Sequence, residues 1–130
     1  MITYAERVCF RFPHLQRLAQ VVFCVDLVAD SWGNELRCHE LARAVHRVLY
    51  NNDRNDDFPS IVVDGKCGLI EHSWLLFHDG VVLDPYVPGR LPSVQIIDAI
   101  VATSYCPGKL RTDIRDEVVD RLVLEMRATR

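Results

Sequence analysis

Apolar residues recur along this chain with two different periods. Leu15, Leu18, Val22, Val25 and Ala29 share one face of a 3.6-residue repeat, which predicts a helix over 14–29. Asp30-Ser31-Trp32-Gly33-Asn34 breaks it with turn-forming residues. Cys38, Leu41, Ala42, Val45, Val48 and Leu49 form a second stripe and predict a helix over 37–50. His39, Glu40, Arg43, His46 and Arg47 lie mostly off that stripe. After a polar loop at 51–57 the pattern changes. Ile61-Val62-Val63 is a β-branched run closed by an Asp64-Gly65 turn. Residues 73–77 and 81–83 are two further strands, with His78-Asp79-Gly80 between them as a hairpin connection. Pro85, Pro88, Gly89 and Pro92 punctuate a loop, 94–101 fits either strand or helix with a strand-like start, and Tyr105-Cys106-Pro107-Gly108 forms a turn. Ile114, Val118, Leu122 and Met126 mark a last helix over 113–127, with Asp113 as its N-cap. Helices, then an antiparallel sheet, then a helix make an α+β fold. No internal repeat or low-complexity tract interrupts this order.

Composition narrows the function. The 130 residues amount to one domain, 1–130, with enough chain to bury a core. Fifteen basic against eighteen acidic residues give a net charge of −3, which argues against a nucleic-acid partner. No run of about 18 apolar residues offers a membrane span. Residues 1–7 lack the basic-then-apolar pattern of a secretory signal. The five cysteines, Cys9, Cys24, Cys38, Cys67 and Cys106, are an odd number, so they cannot all pair. The expectation is a cytoplasmic protein with reduced thiols, and a thiol is then a candidate for chemistry.

Cys38 opens a predicted helix, His72 begins a strand and Asp84 ends the next one. A helix N-terminus lowers a thiol pKa through its unpaired N–H groups and dipole. The thiolate needs a histidine to move the proton, and the histidine needs a third group to fix its tautomer. Parity tests the hairpin. A two-residue Asp79-Gly80 loop would put His72 and Asp84 on opposite faces. A three-residue loop pairs Phe77 with Val81, sets Asp84 opposite Trp74 and leaves His72 diagonal to it, roughly 7–8 Å away. Gly80 stands where that loop needs a left-handed residue, so the three-residue register is expected.

The segments Arg37-Cys38-His39-Glu40-Leu41-Ala42-Arg43-Ala44-Val45, Phe58 to Gly65, His72-Ser73-Trp74 and Gly80-Val81-Val82-Leu83-Asp84-Pro85 together resemble a transglutaminase-like domain of the papain-like cysteine hydrolase and acyltransferase group. The likeness covers roughly residues 37–86 and rests on order, spacing and structural context. It implies a papain-like fold with N-terminal helices on a small antiparallel sheet. It also implies acyl transfer through a cysteine thioester, with Cys38 as nucleophile, His72 as base and acid, and Asp84 orienting His72. The Cys38 N–H is one oxyanion donor. Papain-like peptidases usually carry a Gln upstream as the second, and this chain has none; Trp32 and Asn34 are the donors at hand. Trp74 is expected as core beneath the site, shielding the His–Asp bond. The substrate is then a peptide, protein or small amide, no cofactor is needed, and the chain is free to form a homo-oligomer. Residues 88–95 are expected to border the substrate cleft.

Each residue has a plainer explanation. Cys38 lies on an apolar stripe, where a cysteine is a common packing choice. Cys67, in Lys66-Cys67-Gly68, reads as a loop thiol. Cys38, His39, Cys67 and His72 could be assembled into a zinc site, yet no Cys-x-x-Cys or His-x-x-x-His pair supports one, and no metal is expected. Asp53-x-Asn55-x-Asp57 opens like a calcium loop, but Phe58 replaces the required Gly and Asp64 the Glu. His14, His46 and His78, Arg90-Leu91-Pro92 and Lys109-Leu110-Arg111 read as exposed. A non-catalytic binding or assembly module that keeps the fold is the competing class.

Overall fold

The computed structural model describes residues 24–29, 31–49, 60–77, 80–87, 94–98 and 102–128. Several expectations lie outside them: residues 14–23 of the first predicted helix, the 51–57 loop with its Asp53-x-Asn55-x-Asp57 spacing, Cys9, His14, His78, and residues 88–93 with Arg90-Leu91-Pro92.

Residues 24–29 and 31–32 are helical, and a short 3-10 turn, Gly33–Glu35, leads to helix α1, Cys38–Leu49. Five strands follow: β1 (Ser60–Cys67), β2 (Ile70–Phe77), β3 (Val82–Asp84), β4 (Gln95–Ile97) and β5 (Tyr105–Pro107). Helix α2, Asp116–Ala128, closes the described chain. The strands form one antiparallel sheet in the order β4-β3-β2-β1-β5. The fold is therefore mixed, helices with an antiparallel sheet. No helix among the described residues is long and apolar enough to cross a membrane.

Helix α1 packs on β1 and β2 and against α2. Its apolar stripe is Leu41, Ala42, Ala44, Val45, Val48 and Leu49, all buried. They join Leu75, Phe77, Val81 and Leu83 from the sheet and Val119, Leu122, Val123 and Met126 from α2 in the main core. Side chains alternate across a strand, so the neighbours of Leu75 and Phe77 face the other way. Trp74 accordingly sits in a second, smaller cluster with Val63 and Val82, bordered by Leu76, Ile97 and Tyr105.

The β2–β3 hairpin has the three-residue register. Leu75 pairs with Leu83 and Leu76 with Val82, and the Phe77 N–H donates to the Val81 carbonyl at 3.0 Å. Gly80 closes the loop at φ +86°, the left-handed conformation expected of it.

Three expectations need correction. Asp64-Gly65 is not a turn: β1 runs on to Cys67, and the chain reverses at Gly68-Leu69. Gly65 is needed for a different reason. A Cβ there would lie 2.1 Å from the Cys106 carbonyl oxygen, because β5 crosses at that point. Residues 105–107 are correspondingly strand rather than turn. Pro107 is tolerated because β5 lies at the end of the strand order. The last helix starts at Asp116, not Asp113, since the Asp113 carboxylate binds Arg111 at 2.7 Å and Arg37 at 3.2 Å instead of capping.

Candidate active site

Cys38 is the first residue of α1, and the Arg37 carbonyl accepts the first helical hydrogen bond, from the Leu41 N–H at 3.1 Å. The N–H groups of Cys38, His39 and Glu40 therefore have no partner within the helix. A buried carboxylate fixes this helix start. Glu40 is fully buried and accepts hydrogen bonds from Arg37 Nε at 2.7 Å and Arg115 Nη2 at 2.8 Å. Burial pushes the Glu40 carboxyl up, but the hydrogen bonds from Arg37 and Arg115 win and hold it at about 2. Glu40 thus ties the start of α1 to the segment that leads into α2.

His72 and Asp84 meet across the hairpin. The His72 Nε2–H donates to Asp84 Oδ2 at 2.7 Å, with 2% and 0% of the two side chains exposed. Asp84 accepts two further hydrogen bonds: Oδ2 from the Tyr105 hydroxyl at 2.6 Å, and Oδ1 from the Tyr86 N–H at 2.9 Å. Trp74 lies over this pair. Its ring stacks near His72 at 6.0 Å between centroids and meets Tyr105 edge-on at 5.1 Å. With an apolar roof, the His–Asp bond is shielded from water and gains strength.

Cys38 and His72 line one open pocket of about 240 Å³, together with Leu36, Arg37, His39, Ile70, Glu71 and Tyr86. Since Asp84 holds Nε2, Nδ1 is the His72 nitrogen left for the sulfur. Burial pushes the Cys38 thiol up, but hydrogen bonding to His39 and His72, and the charge of the His72 imidazolium, outweigh it. The thiol settles at about 6, against an ordinary 9.0. Burial pushes His72 down, yet Asp84 and the thiolate raise it to about 9. Between those values the pair stands as thiolate and imidazolium, the state a cysteine nucleophile needs.

The sequence expectations for Trp32 and Asn34 are not met. The Trp32 indole N–H donates to Glu125 at 2.6 Å, and its ring carries Arg121 at 4.6 Å from the centroid. Neither Trp32 nor exposed Asn34 lines the pocket. Both sit before the 3-10 turn or within it, a stretch that packs towards α2 rather than towards the sulfur. Cys67 is the last residue of β1, with its sulfur 3.9 Å from the Ser104 hydroxyl. No group of three His, Cys, Asp or Glu side chains among the described residues could hold a metal ion.

Sequence reasoning gives four residues at or around the site no role in this chemistry. Local patterning makes Tyr105 part of a turn, and only the strand order brings it to Asp84. His39, Asp64 and Ser73 are buried and form a second polar chain. His39 Nδ1 lies 2.7 Å from Ser73 Oγ, which donates to Asp64 Oδ1 at 2.5 Å. Arg43 grips the same carboxylate at 3.1 and 2.6 Å. His39 and Arg43 stand four apart on α1, and Asp64 and Ser73 are cross-strand partners. That spacing is the one signal in the sequence that could have grouped them.

No protein-family model, no curated protein and no solved structure matches the chain.

Proposed function

We propose that this protein is a cysteine hydrolase or transamidase of transglutaminase-like, papain-like architecture. It acts on an amide, peptide or thioester carbonyl through Cys38, His72 and Asp84. One observation carries the reading. A half-buried cysteine at the start of a helix shares a pocket with a histidine whose far nitrogen is held, at 2.7 Å, by a buried aspartate. Helix, histidine strand and aspartate strand end follow one another in the order of the resemblance.

The chemistry follows from the charge state. The Cys38 thiolate attacks the carbonyl carbon and forms a tetrahedral oxyanion, for which the free N–H of Cys38 is a donor. The imidazolium of His72 gives its proton to the leaving group, and a thioester remains on Cys38. Neutral His72 then takes a proton from water or an amine, which attacks the thioester and expels the thiolate. Asp84 keeps His72 in one orientation and stabilises its charge, and stays ionised itself. No cofactor enters. A peptide, protein or small amide is the substrate class, and a reducing, cytoplasmic setting would keep Cys38 active; no disulfide joins the four described cysteines.

The test is acylation by p-nitrophenyl acetate, followed by mass mapping. A burst of p-nitrophenolate with the acetyl group on Cys38, lost in Cys38→Ala and slowed in His72→Ala, supports the enzyme. Equal, slow labelling of several cysteines identifies a binding module instead.

A further inference from the structure

His39 is buried beside the nucleophile and has no part in the steps above. Its surroundings fix its tautomer. Asp64 is ionised: burial pushes its carboxyl up, but hydrogen bonds from Arg43, the Arg111 N–H and Ser73 hold it below the usual range. A carboxylate only accepts, so the single hydroxyl proton of Ser73 goes to Asp64 Oδ1, at 2.5 Å. Ser73 Oγ can then only accept from His39, and at 2.7 Å the proton on that bond belongs to His39 Nδ1. His39 and His72 are therefore mirror images in function. His72 is anchored through Nε2 and His39 through Nδ1.

The Cys38 sulfur is 3.6 Å from His39 Nδ1 and 3.9 Å from Nε2. A sulfur nearly equidistant from both nitrogens is in line with neither N–H direction. Nδ1–H is moreover already committed to Ser73. The ring acts on the sulfur through its dipole, not as an in-line proton donor or acceptor. Around the ring and the sulfur stand Asp64 on β1, His72 and Glu71 on β2, Arg43 on α1 and Arg37 just before it.

We propose that His39 is a positioning residue for Cys38, locked as the Nδ1–H tautomer by the Ser73–Asp64–Arg43 chain and held against the sulfur as a second imidazole. This rests on the cysteine-enzyme reading above, since it assigns His39 to the same nucleophile. It explains why a histidine is buried next to the cysteine and why a buried aspartate and a half-buried arginine hold a serine hydroxyl.

The test measures the thiol, not turnover. Iodoacetamide alkylation of Cys38 is followed across pH in the wild type, His39→Gln and Ser73→Ala, with circular dichroism to check the fold. His39→Gln is expected to slow alkylation about fivefold at pH 6 and hardly at all at pH 9, where the thiol is ionised in either protein. Ser73→Ala moves the profile the same way by less. Equal profiles in wild type and His39→Gln overturn the proposal and leave the enzyme reading intact. An ordinary thiol profile in the wild type overturns both. Should His39→Gln not fold, nitrogen NMR of labelled histidine in the wild type decides: protonated Nδ1 on His39 is expected, and an Nε2–H tautomer overturns the lock.

Discussion

His72 Nε2 and Asp84 Oδ2 are 2.7 Å apart, on neighbouring strands joined by a three-residue loop. Asp84→Asn keeps the shape of that contact and removes its charge. His72 then loses the partner that raises it, and the thiolate–imidazolium pair weakens. Acylation by p-nitrophenyl acetate at pH 7 is expected to fall by roughly 10- to 100-fold, the loss set by the thiolate fraction, with the circular dichroism spectrum unchanged. Unchanged acylation would detach Asp84 from the chemistry.

The pH profile follows from two shifts of opposite direction. The Cys38 thiol is lowered to about 6 and His72 is raised to about 9. Acylation is expected to rise through pH 6 as the thiolate forms and to fall through pH 9 as His72 loses the proton it must give to the leaving group. A leaving group that needs no proton, such as p-nitrophenolate, should show the acid limb and a weaker alkaline one. Stability has its own sign. The folded His72 is above its ordinary 6.5, so its contribution is complete below that value and is lost as pH rises through about 9.

Glu40 predicts an acid effect. Its folded pKa of about 2 lies below the ordinary 4.5, so its contribution is present above pH 4.5 and lost as pH falls through 2. Glu40→Gln should destabilise by about 2–3 kcal/mol in urea unfolding at pH 7, since Arg37 and Arg115 are each about one-third exposed (33% and 37%) and can take up water. The variant should also lose Glu40's share of the acid dependence of stability between pH 4.5 and 2, leaving the share of Asp64.

Gly65→Ala tests the route from the sheet edge to the site. The new methyl meets the Cys106 carbonyl at 2.1 Å and the Gly108 nitrogen at 2.8 Å, both backbone. β5 must shift, and Tyr105 with it. The expected cost is about 1–3 kcal/mol in unfolding, with slower acylation in the fraction that stays folded. Tyr105→Phe separates the two effects: it leaves β5 in place, removes the 2.6 Å bond to Asp84 and should cost about 1 kcal/mol.

Trp32→Phe should lower stability through loss of its bond to Glu125 and leave the alkylation rate of Cys38 unchanged. A rate loss without a stability loss would restore Trp32 to the site. Asn34→Ala, at an exposed position, should change neither.

Much of this arrangement could be read from the chain because it depends on near neighbours. The α1 stripe, the hairpin register and the need for Gly80 follow from periodicity, parity and a single turn. Buried polar residues could not be read the same way. Glu40 is on the side of α1 that looks solvated, and the Arg115 that satisfies it is 75 positions away. Asp64 and Gly65 look like a turn until β5, forty residues later, is seen to pack against them. In each case the deciding partner is distant in sequence, and local patterning carries no trace of it.

His72 and Ser73 are consecutive on β2 and serve opposite faces of the sheet, one towards Asp84 and Tyr105, the other towards His39 and Asp64. A slip of β2 by one residue would exchange them and dismantle both chains at once. A molecule in the slipped register carries neither chain. In a mixed preparation, misregistered molecules would count as inert copies rather than slow ones. Lost activity would therefore appear as a smaller burst amplitude with the rate constant unchanged.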